Sequence, residues 1–175
     1  MERIRTMNGF VLASQPKPKD FKQARKGVTE TGTFEEPIGP AARQGVNVVY
    51  QVETDAWKKD VAAGLHYLDK LARIYGKLGI GPKDREIVGV FHGDAGHFLL
   101  KDPAFQKATE KSGKNPNKQI VKDLLDAGVR LELCKSTMEN HGWTGDDVLP
   151  GVQIVVGAYP RIIDLQLRGY AYIHF

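Results

Sequence analysis

Only one cysteine, Cys134, occurs among the 175 residues of the chain. That scarcity excludes an intramolecular disulfide, and it excludes a Cys-rich zinc or iron–sulfur site built by a single chain. Long apolar runs are missing as well. None approaches the ~20 residues of a membrane-spanning helix, so no membrane span is expected. A general basic excess is also absent, although the formal net charge is +4. Residues 1–27 hold seven Lys/Arg against two Asp/Glu, and residues 28–175 hold eighteen against nineteen. The basic character is a property of the N-terminal arm, which argues against a nucleic-acid-binding domain. The arm carries Arg3 and Arg5 before a short "GFVLAS", well below the ~7–15 apolar residues of a secretory signal. A cytoplasmic protein is the simpler expectation; a periplasmic one, after removal of a signal segment, is the alternative.

Cofactor fingerprints are missing too. The corner after the first apolar run reads "QVETDAWKK". It lacks the glycines that let backbone N–H groups approach a pyrophosphate, and the chain has no G-x-x-x-x-G-K-[ST] loop. No cofactor is implied. His92 and His97 are five residues apart, about 140° around a helix, and share no face there. His66 falls near the apolar stripe of a helix, where a packing histidine is the plainer reading than a ligand. No metal site is expected within one chain. A small-ligand or metal site shared between subunits and using His92 and His97 is the least supported reading.

What the sequence does contain is an alternation of short β-branched runs with helical patterns. Residues 1–45, with Pro16, Pro18, Pro37 and Pro40, show no sustained period and read as an irregular arm, either a solvated tail or a segment that wraps a neighbour. "VNVVYQV" from Val46 reads as a buried strand. Asp55 is a candidate cap for a long helix, because Trp57, Val61, Leu65, Leu68, Ala72, Tyr75 and Leu78 recur at three- and four-residue steps. "EIVGVFH" reads as a second strand and "GDAGHFLL" as a short helix that "KDPAF" interrupts. Residues 107–115 read as a loop, with Asn115 or Asn117 capping the next helix. "VRLELC", "VQIVVGA" and "YAYIHF" read as three further strands, separated by the helices "STMENHG" and "YPRIIDLQLRG". This order predicts an α/β domain over residues 46–175: three layers, a mostly parallel five-stranded sheet, and helices on both faces. Sites in such sheets form at the carboxyl ends of strands. That rule selects Glu53–Trp57, His92–Gly96 and Cys134–Ser136.

Cys134 ends a strand and precedes a helical segment. Unpaired N–H groups at that start favour thiolate over thiol, the form that attacks sulfur. The competing reading is a buried cysteine acting as a small hydrophobe. Lys135 supplies a neighbouring positive charge. His141 lies seven residues on, ~10 Å along a helix, beyond hydrogen-bond reach. His92, at the end of an adjacent strand, is the better candidate partner. Its competing reading is a turn-stabilising histidine before Gly93.

Three blocks in order carry a resemblance to a known family. "VGVFHGDAGHFLL" has a His-Gly that leads into a short helix ending in leucines. "GVRLELCKSTMENHG" places a cysteine at a strand end with a glycine eight residues on. "DDVLPGVQIVVGAYPRIIDLQLRGYAYIHF" has an LPGV turn, a leucine-glutamine helix and a Gly-Tyr-Ala-Tyr-Ile end. Together, from Val46 to Phe175, they resemble the DsrE/DsrF-like family, whose fold is also called YchN-like. The resemblance implies small subunits assembled as trimers or hexamers. It also implies a sulfur carrier or sulfurtransferase in which Cys134 bears sulfane sulfur as a persulfide, received from a donor protein and passed to an acceptor thiol. Only Cys134 inherits a role from the family; His92 is assigned from its corner. The family pattern often has arginine where His141 stands. The alternative function class is a non-enzymatic oligomeric assembly or binding module with Cys134 as packing.

Overall fold

The structure is a computed structural model and describes residues 32–175. The expected arm therefore falls largely outside the described residues. Within residues 32–45 no regular element precedes Val46. Residues 42–175 form one compact unit.

Seven residues, Val46–Val52, form the interior strand β1, whose last five residues are buried. The helix expected from Trp57 starts later. Trp57–Lys58 (β2) and Val61–Ala62 (β3) instead pair as a two-residue-turn hairpin, with Lys59 at φ 56° in its turn. Asp55 caps no helix; its Oδ1 accepts the Trp57 indole N–H at 2.6 Å. Helix α1 runs Ala63–Lys77 and buries Leu65, Leu68 and Ala72. Strand β4 is Arg85–Phe91. A 3-10 segment, Gly93–Leu99, follows where a short helix was expected. "KDPAF" does not merely interrupt. Its proline stands in the first turn of helix α2, Asp102–Thr109, where a missing N–H costs little. The expected loop is shortened accordingly, to the residues after Thr109.

Helix α3 spans Lys118–Asp126. Asn117 precedes it but makes no side-chain cap; its Oδ1 accepts the N–H of Ala62 at 2.7 Å. Asn115 in turn donates to the carbonyls of Phe98 and Leu100. The two asparagines thus satisfy buried backbone groups of neighbouring loops, which would be costly to leave unpaired. Strand β5 (Arg130–Cys134), helix α4 (Lys135–His141), a 3-10 turn at Gly145–Asp147, strand β6 (Gln153–Val155), helix α5 (Ala158–Leu167) and strand β7 (Ala171–His174) complete the unit. Gly142 ends α4 at φ 67°, the left-handed conformation glycine adopts at no steric cost.

The main sheet has five strands in the order β6-β5-β4-β1-β7, every pair parallel. Period-two alternation sends its side chains to two unequal cores. Val48, Tyr50, Val52, Ile87, Phe91, Leu131 and Leu133 meet α1–α4 on one face. Val49, Val88, Val90 and Cys134 meet Ala158, Ile162 and Leu165 on the other, where α5 is the packed helix. Burying each of those two larger side chains contributes roughly 1.5–3 kcal/mol. Under α5 also lies a charged row. Glu132, 1% exposed, accepts a two-pronged pair of 2.8 Å hydrogen bonds from Arg161. Arg130 bonds to Glu86, and Glu86 accepts the Tyr170 hydroxyl. No helix of the described residues is long and apolar enough to cross a membrane.

Candidate functional site

Parallel register assembles one row of side chains along the carboxyl edge of the α5 face. Phe91 is paired with Leu133, so one step further His92 and Cys134 are register neighbours with side chains on the same face. Val52 is paired with Phe91 and Gln51 with His174. The row therefore runs His174, Gln51 with Glu53, His92, Cys134, and Cys134 is paired on its far side with Val155. Both predicted site residues are brought to this edge. Gln51, His174 and Tyr172 join it without having been selected from the sequence as site residues.

Cys134 is 6% exposed and occupies the position just before α4. Burial pushes its thiol up. The N–H and hydroxyl of Thr137, with the N–H groups of Ala158 and Ser136, oppose that and hold the thiol below its ordinary range. Two helix starts, α4 and α5, thus aim donors at one sulfur. None of them is a side-chain cap hydrogen bond from Cys134 to the start of α4. To a neutral thiol they are weak; charge on the sulfur strengthens them. Lys135 takes no part, since its ammonium pairs with Glu139 at 3.1 Å.

Thr137 has a definite polarity. Its Oγ1 accepts the N–H of Gly93 at 3.1 Å, so its own hydrogen is free to point at the sulfur. Gly93 makes that possible by standing at φ 53° with the Glu53 carbonyl 3.2 Å from where a Cβ would be. Thr137→Val keeps the shape and removes the hydroxyl. Loss of one hydrogen bond to a charged group is expected to raise the Cys134 pKa by about one unit or more. A less acidic thiol gives fewer thiolates, each more nucleophilic, with a Brønsted slope near 0.4–0.5. Alkylation of the variant should therefore run roughly threefold slower than wild type at acidic pH and roughly threefold faster at strongly alkaline pH. Profiles that superimpose would remove Thr137 from the site.

His92 is 7% exposed. Burial lowers its pKa, the Glu53 carboxylate works the other way, and His174 adds to the lowering. Its Nε2 stands 3.0 Å from the Gln51 amide nitrogen and 3.5 Å from Glu53 Oε2. The exposed Tyr159 ring of α5 lies edge-on to it at 5.3 Å. Glu53 Oε2 is also 3.5 Å from His174 Nε2.

His97 and His141 belong elsewhere. With Asp55, Asp94 and Trp143 they line a cavity of about 310 Å³ whose lining includes neither Cys134 nor His92. His97 Nε2 is 3.4 Å from Asp55 Oδ1, and burial lowers its pKa. His141 stacks on Trp143 with ring centroids 4.5 Å apart. Among the described residues, no group of three or more His, Cys, Asp or Glu is placed to hold a metal ion.

Comparison with known proteins matches the model of the DsrE/DsrF-like family to residues 58–175. No curated protein matches the chain. Several solved structures share the fold, these two among them. One is a protein of unknown function, MTH1491, from Methanobacterium thermoautotrophicum, at 23% identity and a TM-score of 0.56, covering 73% of this chain and 97% of its own. The other is the ychN protein from E. coli, at 16% identity and a TM-score of 0.51, covering 74% and 99%.

Proposed function

Because the chain belongs to the DsrE/DsrF-like family, we propose that it is a sulfur carrier of the sulfurtransferase type, with Cys134 as the bearer of sulfane sulfur. The observation that carries this reading is the set of donors from Ser136, Thr137 and Ala158 that lowers the Cys134 pKa against the effect of burial. A packing cysteine needs no such set.

In this reading the Cys134 thiolate attacks the outer sulfur of a donor persulfide. The donor S–S bond breaks, a Cys134 S–S bond forms, and the donor leaves as a thiolate. The N–H groups that held the thiolate now lie beside the persulfide. An acceptor thiolate then attacks the outer sulfur, and Cys134 returns to its starting state. Electrons balance over the two exchanges, and no cofactor takes part. With a single thiol per chain, donor and acceptor thiols come from other molecules. His92, the register neighbour of Cys134 just past the end of β4, is assigned as an orienting group. The subunit works as a trimer or hexamer, for which the exposed Tyr159, Ile163 and Leu167 of α5 offer an apolar row.

A second reading is favoured by the 6% exposure of Cys134: an assembly or binding module in which the thiol packs and α5 makes the contacts. Mass spectrometry after incubation with a small sulfane-sulfur donor separates the two. The carrier gains one sulfur atom on the peptide holding Cys134 and loses it to added thiol. Protein that stays unmodified under several donors is the assembly module.

A further inference from the structure

The hydrogen bonds around His92 narrow its chemistry further than its position does. Gln51 lies on β1, the strand beside β4, and its side chain is on the same face. Its amide nitrogen is 2.6 Å from Glu53 Oε2 and 3.0 Å from His92 Nε2. Its amide oxygen accepts the Tyr172 hydroxyl. The partners decide which amide atom is which. An ionised carboxylate only accepts, so the group beside Glu53 is the NH2. That NH2 has a second hydrogen, and it meets His92 Nε2. Nε2 must then present its lone pair, which leaves the proton of the neutral ring on Nδ1.

We propose that Gln51 is a positioning residue that fixes His92 as the neutral tautomer protonated at Nδ1, with Tyr172 anchoring the amide. Turning the amide over would set its oxygen against the Glu53 carboxylate and its nitrogen against the Tyr172 oxygen. The groups that face the ring from neighbouring elements are Glu53 from the end of β1 and Tyr159 from α5, with His174 of β7 behind Glu53; Cys134 of β5 is one register step beyond the Phe91–Leu133 pair. Glu53 alone, 3.5 Å from Nε2, would draw a proton onto that nitrogen. Gln51 stands between these two groups and donates to both, so the carboxylate is satisfied without an imidazolium. Burial of the ring works in the same direction.

For the carrier reading, on which this consequence rests, His92 keeps its Nδ1 proton as the one hydrogen bond the ring can donate and offers no free base at Nε2. The tautomer itself depends on no sulfur chemistry.

Long-range 15N–1H NMR on protein labelled at histidine nitrogen tests it at neutral pH, with His92 assigned by its loss in His92→Gln. Wild type should show a protonated Nδ1 and an unprotonated Nε2. Gln51→Leu should move the proton to Nε2, facing Glu53. Gln51→Glu should raise the His92 titration midpoint by about one pH unit or more. Tyr172→Phe, at an exposed position, tests the same point if the Gln51 variants do not fold; it should give a mixture of tautomers. A wild-type ring protonated at Nε2, or doubly protonated, overturns the proposal. So does an Nδ1–H ring that persists through the Gln51 variants, and an unchanged Tyr172→Phe spectrum removes the anchor. If the spectra are as expected but the same samples take up no sulfur, the carrier reading fails and the tautomer assignment stands.

Discussion

Cys134→Ala takes up no sulfur from a donor that loads the wild-type protein, and it does so as a folded subunit. The loss is complete because no second thiol exists to accept sulfur. Folding survives because the deletion is small. Removing one buried sulfur from the α5 face resembles a minor core truncation, on the order of 1 kcal/mol. Most of the packing there comes from Val49, Val88, Val90, Ile162 and Leu165, which are untouched. Cys134→Ser is the companion variant. Its hydroxyl stands among the same donors but is not a sulfur nucleophile at neutral pH. Both variants should give wild-type circular dichroism and unfolding midpoints within ~1 kcal/mol of wild type, with no adduct by intact mass. If either variant still gains a sulfur atom, the carrier residue is not Cys134 and the reading is lost. The donor set around the sulfur would then be an accident of two helix starts meeting.

The strands were legible because β-branched runs separated by glycine turns have few other interpretations. All five expected strands fall within a residue or two of the observed ones at most ends, apart from the fourth, which is shorter. The parallel order followed from the helices between them. The hairpin at Trp57–Ala62 was not legible. Trp57, Val61 and Leu65 fit a helical stripe as well as they fit a hairpin that feeds a helix. What separates the two is Lys59 at a positive φ, a conformation its residue type does not announce. Pro103 is ambiguous for a related reason, since the same residue that breaks a helix interior starts a helix well.

The site was legible only in part. Cys134 and His92 could be found because each ends a strand. Gln51 could not, because a glutamine inside "VNVVYQV" carries no motif. Its meaning appears once register pairs it with His174 and its amide reaches His92. Glu132 carries a readable signal of its own. In "LELC" the alternation places Glu132 on the face of Cys134, away from Leu131 and Leu133. A carboxylate on a buried face requires a cationic partner, and Arg161 supplies it.

That pairing gives the second large effect. Glu132→Gln keeps the shape of the side chain and removes its charge. Arg161 then loses a two-pronged carboxylate while its side chain stays 23% exposed, so water can satisfy part of it. Breaking a buried pair by removing one partner costs about 3–5 kcal/mol. The partial exposure of Arg161 puts this case at the low end, about 3 kcal/mol, read from the midpoint shift in urea at an unchanged slope. The double variant Glu132→Leu with Arg161→Leu should recover most of that loss, because it leaves no charge unpartnered. The consequence reaches the sulfur. Arg161 sits one turn into α5, and Ala158 at its start supplies one of the N–H groups that lower the Cys134 pKa. An α5 held less firmly to β5 lets that donor drift, so Glu132→Gln should also raise the pH at which Cys134 becomes a thiolate. The hydrophobic double variant, which holds α5 by packing, should restore it. A Glu132→Gln protein with wild-type stability but an altered thiol profile would separate the two effects. It would show that the ion pair tunes the cysteine without anchoring the helix. Unchanged values in both measurements would mean that Ile162 and Leu165 alone hold α5 in place.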